Sequence, residues 1–288
     1  MNTFIAIMAA PLVTCLLLVI INSSLGLHVL GRGVIFVDLA LAQIAALGQS
    51  VAFLMGAEPR DPATYLWSIG FTLLGAALFS FLWDRTQSVF QEAFIGITFS
   101  LATAAALLLL ANAPHGAEHV SGMLSGGGLL WTDWKDVAIM AAIYSVAGLF
   151  LFLNRETLAL CSFNPREAVK RGISVRLWDF LFYACFGMVV TESVRAAGVL
   201  AVFSFLIVPV VAASLLGKTG RNKLHWAWGI GAVVSVTGSV VSYWRDLPPG
   251  ATIVCIFGLV VLGISMVLRM QRGVSHRHAA PKVVRHRV

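Results

Sequence analysis

The chain has 288 residues, 59% of them hydrophobic and 11% charged, and its mean hydropathy is +0.88. Soluble domains carry about 25% charged residues, so water is excluded as the medium for most of this sequence, and with it the soluble-enzyme classes. The formal net charge of +7 is gathered into a few connectors and the C-terminal tail rather than spread along the chain.

Apolar runs of about 18 residues or more with few charges read as membrane helices. In chain order the sequence predicts spans at Phe4–Leu30, Val34–Gly56, Pro62–Trp83, Ala93–Ala111, Val137–Asn154, Leu177–Val190, Gly198–Gly217, Leu224–Tyr243 and Ala251–Met270. The fold class expected is all-α. Residues 1–270 form one polytopic membrane domain of about nine transmembrane helices, and residues 271–288 form a basic cytoplasmic tail, expected to be disordered. The first span has no basic leader and runs on through "LLLVIINSSLGLHVL", which predicts a retained helix rather than a cleaved signal. The connectors are short and hold helix breakers: "GRG" at 31–33, "EPRDP" at 58–62, "GKTGRNK" at 217–223 and "RDLPPG" at 245–250. The sixth span is short, and the stretch "VSGMLSGGGLL" beginning at Val120 reads as a re-entrant or interfacial piece.

Basic residues beside spans mark the cytoplasmic side. Arg155, Arg166, Lys170, Arg171 and Arg176 share one connector, and Lys218, Arg221 and Lys223 share another. Arg272, Arg277, Lys282, Arg285 and Arg287 lie in the tail. With the tail inside, nine spans put the N-terminus outside. The connectors at 31–33, 84–92, 154–176 and 218–223 then fall inside, and those at 57–61, 112–136, 191–197 and 244–250 fall outside. Both strongly basic connectors land on the cytoplasmic side, so topology accounts for the charge without nucleic acid as a partner. Cys15, Cys161, Cys185 and Cys255 show no paired spacing, so neither a disulfide framework nor a zinc site is indicated.

The stretch "HGAEH" at 115–119 has the H-x-x-E-H form of an inverted zinc-protease signature. A helix would put His115 and His119 on one face, but Pro114 and Gly116 argue against a long helix there. A catalytic zinc also needs a third ligand, which Glu192 supplies only if the fold brings it close. The expected reading is an outer connector whose His115 and His119 make at most a transient metal contact. "GKT" at 217–219 lacks the first glycine of a nucleotide-binding loop, Ala212 standing in its place, and it follows a membrane span instead of a buried strand. No catalytic residue and no cofactor are expected.

Polar residues inside the spans are more informative. A charge at mid-membrane costs about 2.5–3.5 kcal/mol on insertion scales, so Asp38 needs either a partner or a task. Arg32, six residues earlier, is the one local partner in sight. Gln43 follows on the same span, and His28 could face both across the turn at 31–33. Glu192 can pair with Arg195 three residues on.

The stretch "GRGVIFVDLALAQIAALGQSVAF" (31–53) resembles the second-helix signature of the metal-uptake ABC permeases, an aromatic-Gly-Asp followed by a His and then Leu-x-Gly. "NPREAVKRGISVRLWDFLF" (164–182) resembles that family's coupling segment, and "ESVRAAGVLAVFSFLIVPVVAASLL" (192–216) its late signature. The similarity runs in family order over nearly the whole chain. It implies a permease importing zinc, manganese or iron, with Asp38 along the metal pathway; Gln43, His28 and Glu192 are further pathway candidates offered by the polar residues of the spans themselves. Pro165, Arg166, Glu167, Lys170, Arg171 and Gly172 would couple it to a cytoplasmic ATP-binding subunit. The resemblance further implies a homodimer in the cell membrane and an extracytoplasmic metal-binding protein as partner. One departure stands out: the family's Asp and His are four apart, whereas here Ala42 holds that place and Gln43 comes one later. On a regular helix Asp38 and Gln43 point about 140° apart, and a π-bulge would realign them. A cation-driven secondary transporter and an intramembrane metalloprotease are the alternative readings.

Overall fold

The computed structural model describes residues 2–58, 61–81, 88–111, 127–217 and 219–278, which are helical with no strand among them. Helix α1 (Asn2–Arg32) carries Pro11 and is followed by α2 (Val37–Leu54), α3 (Pro62–Phe81) and α4 (Ser88–Leu110). A 3₁₀ turn (Gly127–Trp131) leads into α5 (Trp134–Leu153), whose start is fixed by a capping box between Asp133 and Asp136. Two short helices, α6 (Arg155–Phe163) and α7 (Pro165–Lys170), precede α8 (Val175–Ala197), α9 (Val199–Leu215), α10 (Gly220–Arg245) and α11 (Pro249–His278).

Eight of these helices are long and apolar enough to cross a membrane, and α9 is a shorter apolar helix of 17 residues. That agrees with the nine spans read from the sequence, but the short member is the seventh, not the sixth. The chain from Leu177 does not stop at Val190. It continues as helix to Ala197, so residues 191–197 are the last turns of α8 rather than a connector. Gly198 alone separates α8 from α9, at φ +80° and ψ 159°. Only glycine adopts that backbone readily, which lets one helix end and the next begin without a loop.

Packing divides the bundle into two groups. In one, α2 lies among α3, α4 and α8; in the other, α9 lies among α1, α10 and α11. Helix α8 joins them through contacts with α1, α5 and α9. Its Phe182, Tyr183 and Phe186 are fully buried, and Phe205 of α9 meets Phe257 of α11 edge to face at 5.4 Å. Small residues bring α2 and α3 together: the Ser68 hydroxyl donates to the Ala45 carbonyl at 3.0 Å, and Gly48 lies against the Trp67 carbonyl. Helix α11 keeps Leu259, Leu262 and Met266 exposed, as a lipid-facing helix does. The glycine-rich stretch before α5 turns back into the bundle over its described part. Leu129 is fully buried there, in contact range of α1, α8 and α11.

Candidate metal pathway

Two polar clusters sit near opposite ends of α8, which carries Asp179 in its second turn and Glu192 and Arg195 near its C-terminus. Thirteen residues of helix separate Asp179 from Glu192, about 20 Å.

The first cluster forms where α1 ends. Arg32, the last residue of α1, makes an ion pair with Asp179, and both side chains are buried. Its Nε donates to the Ser162 hydroxyl at 3.1 Å, and its guanidinium carbon lies 4.1 Å from the Phe182 ring centre. His28 Nδ1 meets the same Ser162 oxygen at 3.1 Å, and its ring lies within 6.2 Å of Phe163 and 5.9 Å of Phe182. Arg32 is therefore the partner of Asp179 and not of Asp38, for which it is the one local candidate along the chain. The reason is that the C-terminal end of α1 packs on α6 and α8, an arrangement that nearness along the chain does not reveal.

Asp38 lies just past this turn, in the first turn of α2, at 1% exposure. Its Oδ1 is buried and has no hydrogen-bond partner among the described residues. Gln43 is also buried. Helix α2 is an unbroken α-helix from Val37 to Leu54, so the bulge that would align Asp38 with Gln43 does not form, and the two diverge by about 140°. Sequence reasoning missed Glu92, which it left in a connector. The Glu92 Oε1 accepts from the backbone N–H of Ile35 at 2.8 Å, while Oε2 is buried without a partner among the described residues. Two carboxylates thus flank the α1–α2 turn, each with an oxygen unpaired among the described residues.

The second cluster joins α8 to α5. Arg195 donates to Glu192 Oε1 at 2.6 Å and lies 3.7 Å from Asp136 Oδ1. Glu192 is 1% exposed, and its Oε2 has no hydrogen-bond partner among the described residues. The pairing of Glu192 with Arg195 is as the sequence suggested. Glu192 and Arg195 line a cavity of about 180 Å³ together with Gln49, Asp61, Thr64 and Tyr65. On the neighbouring residues of α8, the Tyr144 hydroxyl meets Ser193 at 2.5 Å, and Thr72 meets Thr191 at 3.1 Å. A larger cavity of about 650 Å³, between α1, α5 and α10, has His28, Tyr144, Arg155 and His225 in its wall.

His115 and His119 lie outside the described residues. Among the described residues, no group of three or more His, Cys, Asp or Glu side chains is arranged to hold a metal ion by itself. The segment with Pro165, Arg166, Glu167, Lys170, Arg171 and Gly172 folds as α7 and its C-terminal turn, with Pro165 in the first turn. Ala168 is buried and anchors it, Val169 is exposed, and Arg171 reaches Glu167 at 3.2 Å in an exposed pair. Gly172 has φ +73°, where the chain turns back toward α8.

Residues 4–268 match the profile of the ABC 3 transport family. The chain belongs to that family. Its members are membrane permeases, transport subunits rather than enzymes, and the resemblance read from the sequence agrees with this. The manganese import system permease protein ScaB of Streptococcus gordonii is 23% identical over 264 residues, covering 91% of each chain. The zinc transport system membrane protein TroC of Treponema pallidum is 29% identical over 195 residues, covering 67% of this chain and 63% of the relative. Among solved structures, PsaBC from Streptococcus pneumoniae in complex with Fab superposes with a TM-score of 0.76 at 21% identity, over 91% of this chain and 94% of the other. The bundle described above is thus a fold that this family of permeases shares.

Proposed function

We propose that the protein is the permease of an ATP-driven importer whose substrate is a divalent transition-metal ion. The observation that carries this reading is Asp38, a buried carboxylate with an oxygen unpaired among the described residues, standing where the family's second-helix signature has its acid. A membrane protein retains such a costly group where it serves a passing cation. Glu192 is assigned to the outer mouth, Asp38 and Gln43 to the share of the path on α2, and His28 to its wall near the cytoplasmic end. Two copies of the chain pair around the path, an extracytoplasmic protein delivers the ion, and a separate ATP-binding subunit docks on α7 through Arg166, Glu167, Lys170 and Arg171. The N-terminus lies outside and the basic tail, 271–288, in the cytoplasm.

The donors favour a hard ion. Asp38, Gln43 and Glu192 offer oxygens, and the one imidazole in this set, His28, is engaged with Ser162. Carboxylate and carbonyl oxygens suit manganese, whereas imidazole and thiolate suit zinc. Manganese is accordingly the proposed substrate. The test is co-expression with a candidate ATP-binding subunit, followed by reconstitution into vesicles. ATP-dependent accumulation of Mn²⁺ above Zn²⁺ is the expected result. A permease that purifies without an ATPase, or accumulates Mn²⁺ with no need for ATP, contradicts the proposal.

A further inference from the structure

The ion pair at the outer mouth is incomplete in a particular way. Arg195 engages one oxygen of Glu192 at 2.6 Å and lies 3.7 Å from Asp136 on α5, while the second Glu192 oxygen is buried and unpartnered among the described residues. Its own Nε is likewise buried without an acceptor among the described residues. A carboxylate as buried as Glu192 normally has both oxygens satisfied, because each one left over costs free energy. The same Glu192 lines the 180 Å³ cavity, whose wall also includes Asp61, Gln49, Thr64 and Tyr65 beside the apolar Pro62 and Ile139. Asp61 Oδ2 accepts from the Glu58 backbone N–H at 2.9 Å, which holds its carboxylate at the start of α3.

We infer that Arg195 is a tethered stand-in for the transported cation, occupying the Glu192 carboxylate until a metal ion displaces it. The inference rests on the metal-permease reading above. The lining residues include two carboxylates, Glu192 and Asp61, and oxygen-bearing neutral side chains, the donor types a hard divalent ion takes. A dication arriving there takes Glu192 with Asp61. The displaced guanidinium keeps its charge partner, because Asp136 already lies beside it. No proton or electron moves; one cation replaces another on the same carboxylate. Asp136 belongs to the cap of α5, and the carbonyls of Arg195 and Ala196 lie against Gly128 in the turn before that helix. Swinging Arg195 onto Asp136 therefore registers occupancy at the junction of α5, α8 and the glycine-rich turn. The resting pair also keeps monovalent ions out, since one weak charge competes poorly with a guanidinium held in place.

The test uses the purified permease–ATPase complex without nucleotide, with Mn²⁺ as the probe in equilibrium binding, alongside vesicle uptake. Removing the tethered cation in Arg195→Gln should tighten Mn²⁺ binding by about tenfold, the size of a modest charge coupling at close range. It should also make uptake less selective for divalent over monovalent ions. Arg195→Lys, which keeps the charge, should stay within about threefold of wild type on the same scale. Glu192→Gln added to Arg195→Gln should abolish the gained affinity, and size-exclusion profiles show whether each variant is folded. Unchanged or weaker Mn²⁺ binding in folded Arg195→Gln overturns the inference while wild-type ATP-driven uptake leaves the permease reading in place. A wild-type complex that takes up no metal under ATP removes both.

Discussion

Replacing Asp179 by Asn is the sharpest structural perturbation available. The Arg32 and Asp179 side chains are 0% and 1% exposed, so the substitution leaves a guanidinium buried with its main counter-charge gone. Breaking a buried pair by removing one partner costs about 3–5 kcal/mol. Here the Ser162 hydroxyl at 3.1 Å and the Phe182 face at 4.1 Å stay in place and hold part of the charge. The lower end, about 3 kcal/mol, is therefore expected. At a few degrees per kcal/mol this amounts to a fall in unfolding temperature of roughly 10 °C. Thermal unfolding of the detergent-solubilised protein, followed by the size-exclusion peak of a fluorescent fusion, measures it. The double variant Arg32→Leu/Asp179→Leu should regain most of the loss, since it buries no charge. Wild-type stability in Asp179→Asn, or a double variant less stable than the single one, refutes the reasoning.

Three further outcomes are expected. Gly172→Trp forces a bulky side chain onto a backbone at φ +73°, in the segment assigned to the ATPase, and Glu167→Arg reverses a charge on the exposed side of α7. Both should lower ATPase co-purification while membrane insertion is normal, and full co-purification counts against that docking site. Gly48→Val places a Cβ about 2.7 Å from the Trp67 carbonyl, a backbone atom that cannot swing aside, so α2 and α3 must separate. A loss of about 1–3 kcal/mol follows from such overpacking, read as a lower unfolding temperature, and no change sinks the close-packing argument. Glu118→Gln should leave uptake nearly unaltered if "HGAEH" is an outer connector, whereas complete loss of transport in an inserted protein makes the connector reading wrong.

The helices were legible because apolar run length is a direct consequence of bilayer thickness, and the breakers between runs are few. The exceptions come from local backbone chemistry. A window of hydropathy ended α8 at Val190 because Thr191, Glu192, Ser193 and Arg195 follow, yet these residues are helical and find partners within the bundle: Thr72, Arg195, Tyr144 and Glu192 respectively. Gly198 then breaks the chain in one residue, which no loop-length expectation anticipates. Among the site residues, Glu192–Arg195 was readable because an i, i+3 pair is local. Arg32–Asp179 was not, because 147 residues separate its members and only the packing of α1 on α8 joins them. Glu92 was missed for the same reason: its partner is a backbone N–H on the α1–α2 turn, 57 residues away. A regular α2 also leaves Asp38 and Gln43 on different faces, a point that the five-residue spacing alone left open.

The central claim is that Asp38 serves a passing cation, and one measurement tests it most directly: the initial rate of ATP-driven Mn²⁺ uptake into vesicles by Asp38→Asn. This variant keeps the shape of the side chain and removes its charge, one acceptor oxygen becoming an NH₂ donor. If the carboxylate meets the ion, uptake should fall by about tenfold or more, as it does when even the support of a metal ligand is lost. ATPase association and unfolding temperature should stay at or above wild type, because a buried carboxylate with an oxygen unpaired among the described residues loses its charge. Wild-type uptake by Asp38→Asn would contradict the account and leave Asp38 a structural residue.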